Sequence, residues 1–180
     1  MLEKKKEHPR KIYLLQGNHE GFPYAQFSGA DFWYNLQAGD YKKYQKKFND
    51  LPLAISVGDI IATHSCLPDI ENIKEINKIK IGSDDWYSIV WPDMLEKYDI
   101  MHPRVLRDRE YFDKIMKRFN KNLLIRGHQY NCPLSQFDDR CVTIFTSLHY
   151  INYKPRQIAI ADFRENKKIE TIDDLIIEEI

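Results

Sequence analysis

Asn18 and His19 stand side by side, so an amide oxygen that can ligate a metal adjoins an imidazole that can ligate one or carry a proton. Two further histidines, His64 and His128, follow apolar runs of similar form: Ile60-Ile61-Ala62-Thr63-His64 and Leu123-Leu124-Ile125-Arg126-Gly127-His128. The run before Asn18, Ile12-Tyr13-Leu14-Leu15, stops in the same way at Gln16-Gly17. Taken singly, a histidine is most often a partly buried, hydrogen-bonded residue, and His8 and His102, which share no such placement, are left as that. It is the repeated placement at the ends of apolar runs that assigns Asn18, His19, His64 and His128 to one site.

Strands are the elements that must position these side chains. Residues 12–15 are too few and too continuously apolar for an amphipathic helix, and Gly17 ends them, which predicts a covered strand. Residues 53–57 and 60–63 predict a hairpin about Gly58-Asp59, which gives Asp59 a turn role at the far end of the strand from His64. Open α/β sheets place their ligands at the carboxyl ends of strands. Further strands are expected over 123–126, 141–146, 156–163 and 168–172, with 131–140 a polar loop.

Helices are expected over 37–49, where Tyr41, Tyr44 and Phe48 repeat at helical spacing, and over 110–120, where Phe112, Ile115, Met116 and Phe119 form an apolar stripe. Residues 22–36 read as helix and loop, and 69–80 as a charged, solvated helical surface. Trp86 and Tyr87 are expected in the core. Residues 1–10 read as a frayed charged leader, and 173–180 as a short helix or frayed acidic end.

The chain has 180 residues, enough for one domain, 1–180, with a substantial core. Its 27 basic residues balance 27 acidic ones, which argues against nucleic acid or an anionic membrane as the main partner. No apolar run approaches the roughly 20 residues of a membrane helix, and the start lacks a signal peptide's apolar core, so the expected compartment is the cytoplasm. Cys66, Cys132 and Cys141 have no C-x-x-C spacing and read as reduced, apolar-behaving thiols.

In order, Gly17-Asn18-His19-Glu20, Thr63-His64-Ser65-Cys66-Leu67-Pro68, Trp91-Pro92-Asp93 and Arg126-Gly127-His128-Gln129 resemble the second half of the calcineurin-like metallophosphoesterases. Within them, the closest branch is the PPP-type serine/threonine protein phosphatases. The resemblance covers about 11–163, and the order of four motifs is far more specific than any one of them. It implies an α/β fold: a metallophosphoesterase-type β-sandwich flanked by helices. Two Asp-bearing motifs that precede the Asn-His loop in the family find no match here, so the fold is expected to be incomplete at the N-terminus.

The resemblance also implies roles. Asn18, His64 and His128 would ligate one divalent metal, manganese first with iron or zinc as alternatives, in a site that holds two metals when complete. Asn18 would also touch the substrate phosphate, and His19 would protonate the leaving alkoxide. Arg104, with Arg107 second, matches the arginine that grips the phosphate, and a plain surface arginine is an equal alternative. Tyr150, in Ser147-Leu148-His149-Tyr150, matches a tyrosine at the substrate mouth. Ser65 and Cys66 replace glycines beside His64 and would narrow that pocket or change its substrate. The inherited reaction is phosphomonoester hydrolysis, of phosphoserine or phosphothreonine, impaired unless an N-terminal half or a partner subunit supplies the missing ligands. The alternatives are a non-catalytic phosphatase-like binding module and a phosphoesterase acting on nucleotides or small molecules.

Overall fold

The computed structural model describes residues 1–27, 29–96, 104–164 and 168–180. In chain order its helices are α1 (Leu2–Glu7), α2 (Asp31–Tyr34), α3 (Ala38–Asn49), α4 (Asp84–Val90) and α5 (Arg109–Phe119). Its strands are β1 (Ala54–Val57), β2 (Ile60–Thr63), β3 (Asp93–Met94), β4 (Leu106–Arg107), β5 (Leu123–Arg126), β6 (Ser135–Gln136), β7 (Cys141–Thr143), β8 (Gln157–Ala161) and β9 (Leu175–Glu179).

Alternation along three strands builds the centre of the molecule. The main sheet has the order β1-β2-β5-β7-β6, with β2, β5 and β7 parallel and both outer strands antiparallel. Ile61, Leu124 and Cys141 are register partners on one face, and there they pack on Trp86, Ile89 and Val90 of α4 and Phe112, Ile115, Met116 and Phe119 of α5. One residue away in each strand, Ile60, Leu123 and Val142 face the other side and pack on Leu175, Ala159, Ala161 and Ile177 of the antiparallel β8–β9 pair. Side chains of period 2 thus feed two cores from one sheet. The result is a β-sandwich with helices on its outer face, as expected.

Several local expectations hold. Gly58 takes φ 53° in the β1–β2 turn, and α3 and α5 fall where the apolar stripes put them. Helix α5 starts at Asp108, whose carboxylate accepts the Tyr111 N–H at 3.0 Å, and ends at Asn120 in the left-handed region. Asp108→Ala is expected to cost about 1 kcal/mol in urea unfolding, and Asp108→Asn much less. An unchanged midpoint in Asp108→Ala would show that this cap contributes nothing.

Other expectations are corrected. Residues 12–17 carry no strand: Tyr13 is 55% exposed, and the Gln16 N–H donates to Pro52 O at 2.9 Å instead of joining a ladder. A strand is defined by its neighbour as much as by its own residues, and none of the described strands pairs with this run. The last strand is β9, within the supposed frayed end, and residues 168–171 carry none. Tyr87 is 36% exposed while Trp86 is fully buried. The charged segment 69–80 forms a 3-10 turn, Ile73–Lys78, that buries Ile76 in the core. Residues 2–7 form a helix, and the loop 131–140 contains β6. His102 lies outside the described residues.

Candidate metal centre

Because β2 and β5 are parallel neighbours, the residues that leave their carboxyl ends leave side by side. The Gly127 N–H donates to His64 O at 3.0 Å, which sets the two histidine loops in contact. Asn18 arrives from outside the sheet, on a loop anchored by its neighbour Gln16. That buried side chain donates through Nε2 to Phe48 O at 2.7 Å and accepts the Trp86 Nε1–H at 2.7 Å. Gly17 is required by closeness: a Cβ there would lie 2.6 Å from His64 Nδ1. Glu20 turns its carboxylate back onto the Gly17 N–H at 2.8 Å.

The three expected metal ligands converge. His64 Nε2 lies 2.7 Å from Asn18 Oδ1 and 3.0 Å from His128 Nδ1. Behind His128, its Nε2 is 3.2 Å from Trp91 O and 3.6 Å from Asp93 Oδ1, and Arg104 Nη1 lies 3.0 Å from the same nitrogen. Arg104 also donates to Asp93 Oδ1 at 3.3 Å. Only the tautomer with its proton on Nε2 leaves a lone pair on Nδ1, facing His64. That tautomer donates to Trp91 O, and Arg104 then donates to Asp93.

Both imidazoles are held neutral. Burial, reinforced by Arg126 and then His19, pushes His64 down to about 3. Burial, reinforced by His64, Arg126 and Arg104, pushes His128 down to about 2, against a smaller opposite effect of the Trp91 carbonyl. A histidine that stays neutral when folded, but takes a proton near pH 6.5 when unfolded, favours the unfolded chain in acid. Stability of the metal-free chain is therefore expected to be level above pH 6.5 and to fall as the pH drops from there toward 3. With each pH unit worth about 1.4 kcal/mol per group, the two together predict a loss on the order of 2–4 kcal/mol at pH 5. Urea midpoints at pH 7 and pH 5 with chelator present check this, and equal midpoints would contradict it.

The donor set fits one divalent ion of the manganese, iron or zinc type: an amide oxygen and two neutral imidazole nitrogens, close together, with the Trp91 carbonyl fixing the His128 ring from behind. A bound ion would supply charge neutralisation to a phosphate and acidity to a coordinated water. Among the described residues no group of three His, Cys, Asp or Glu side chains could hold an ion.

The remaining expected site residues divide. His19 is exposed, with its ring against Phe27 at 4.7 Å and its backbone oxygen accepting the Trp33 Nε1–H. Arg104 joins the cluster, whereas Arg107 stacks over Tyr111. Tyr150 stacks on Tyr130 at 4.6 Å, two residues beyond His128, and so flanks the histidine loop. Ser65 and Cys66 do not narrow the pocket: both are fully buried, Ser65 Oγ donating to Pro92 O and Cys66 packed in the core. Burial raises the Cys66 thiol to about 11 and the Cys141 thiol to about 12, as apolar-behaving cysteines require. Sequence reasoning gave no roles to Asp93, Gln16, Arg126 and Gln129. For Arg126 a signal existed, a charged residue on the buried strand face it shares with Leu124.

A sequence model of the calcineurin-like phosphoesterase family matches residues 1–132, and the chain belongs to that family. Its structure is similar to that of a protein serine/threonine phosphatase from Saccharomyces cerevisiae with similarity to human phosphatase PP5. The TM-score is 0.71 and the identity 17%, over 97% of this chain and 61% of that one. The likeness is therefore one of fold, and this chain spans about three-fifths of the yeast protein's length. No helix among the described residues is long and apolar enough to cross a membrane.

Proposed function

We propose that these residues form the C-terminal part of a single metallophosphoesterase domain and supply one metal-ligand set of a phosphomonoester hydrolase of the serine/threonine phosphatase type. The convergence of Asn18 Oδ1, His64 Nε2 and His128 Nδ1 carries this reading. In it Asn18, His64 and His128 hold one divalent ion, manganese by preference. Arg104, half exposed beside His128, and Asn18 bind the phosphate of a phosphoprotein or other phosphomonoester, and Tyr150 lines its approach. His19, exposed next to Asn18, delivers a proton to the departing alkoxide. The carboxylates for a second ion come from residues outside these 180 or from a partner subunit, and without them hydrolysis is lost or strongly impaired. Three free cysteines fit a reducing compartment such as the cytoplasm.

The test is turnover of p-nitrophenyl phosphate by the purified chain with added manganese, beside His19→Ala and His64→Ala. No turnover above the variants is expected. Turnover abolished in both variants would overturn the impaired-enzyme reading, because these residues would then complete a catalytic centre by themselves.

A further inference from the structure

We infer that Arg126 is the positioning residue of this centre, a buried guanidinium that fixes the spacing between the His64 and His128 loops. The inference rests on the metal reading above. Arg126 is 2% exposed. Its Nε donates to Ser65 O at 2.8 Å, one residue past His64, and its Nη1 donates to Gln129 Oε1 at 3.0 Å, one residue past His128. Thr143 Oγ1, at the end of β7, and Ser65 Oγ lie at 3.4 Å from Nη1 and Nη2.

Both branches continue to a third segment. Ser65 Oγ donates to Pro92 O, and Gln129 Oε1 also accepts the Met94 N–H at 3.0 Å. Between Pro92 and Met94 stands Asp93, the carboxylate behind His128. One planar side chain thus ties together the two histidine loops and the Asp93 segment.

Charge does not explain its presence. These four acceptors are neutral oxygens, and a fixed cation beside a divalent ion opposes that ion's binding. What a guanidinium adds is a rigid fork of donors that reaches several loops at once, which an ammonium on a flexible stem does not reproduce. Displacing either histidine by a fraction of an ångström degrades a metal site.

The experiment is a cobalt(II) titration of the full chain followed by visible absorption, with Arg126→Lys, Arg126→Gln and His64→Ala alongside and folding checked by circular dichroism. Folded Arg126→Lys and Arg126→Gln are expected to bind cobalt at least tenfold more weakly, with an altered absorption band. A purely electrostatic role gives the reverse, tighter binding in Arg126→Gln and unchanged binding in Arg126→Lys, and either result overturns the inference. If the Arg126 variants do not fold, Gln129→Leu removes the His128 branch alone and must show the same weakening; wild-type affinity in it overturns the inference. Equal cobalt binding by the wild type and His64→Ala instead sinks the metal reading, a failure seen without any Arg126 variant, and the inference falls with it.

Discussion

Replacing His64 with alanine is expected to weaken manganese binding at least about a hundredfold while leaving the fold intact. His64 Nε2 is the atom that meets both Asn18 Oδ1 and His128 Nδ1, so its removal leaves two donors with nothing between them. Loss of a group that merely orients a ligand already costs 10–100-fold in affinity, and loss of the ligand itself should cost no less. The fold should survive because the ring lies over Gly17 at the strand end, outside the apolar clusters on either side of the sheet. His19→Ala is the natural comparison. Its ring packs on Phe27, so manganese affinity should stay within about twofold of the wild type. Calorimetric titration of the two variants separates the roles, and equal affinities would remove His64 from the ligand set.

Trp86→Ala is expected to be the most damaging core substitution, costing about 4 kcal/mol in urea unfolding. The indole is fully buried in the core that α4 and α5 share with one face of the sheet, and truncating a buried aromatic to alanine typically costs 3–5 kcal/mol through lost burial and the cavity left behind. It also orphans the Gln16 Oε1, which accepts the indole N–H inside the protein. Against a typical total stability of 5–15 kcal/mol, much of the margin would go. The effect should reach the metal centre, because Gln16 anchors the loop that carries Asn18 and a Cβ on Gly21 would lie 2.1 Å from the indole. Trp86→Phe keeps most of the volume and loses the hydrogen bond, and its cost is expected at 1–3 kcal/mol. A Trp86→Ala midpoint within experimental error of the wild type would refute this role.

The legible parts of this fold are those in which local pattern and tertiary context agree. Phe112, Ile115, Met116 and Phe119 announced the buried face of α5, and Gly58 announced the β1–β2 turn, because both signals are complete within a few residues. Residues 12–15 misled because an apolar run says nothing about whether a neighbour exists to pair with it. Strand β9 hid within an acidic segment: Leu175 and Ile177 point into the β8–β9 core while Ile176 is 57% exposed, an alternation short enough to pass for a frayed end. At the site, strand-end placement singled out His64 and His128, and their parallel strands brought them together. The polar framework was not legible, since the ties from Arg126 to Ser65 and from Gln129 to Met94 join residues far apart in the chain.

The most direct measurement is the number of manganese ions held by the purified chain at equilibrium dialysis, before and after the His64→Ala substitution. One ion per chain, lost on substitution, is the expected result, because the proposed ligands Asn18, His64 and His128 converge on a single set. Two ions per chain, or one that survives the loss of His64, would contradict it.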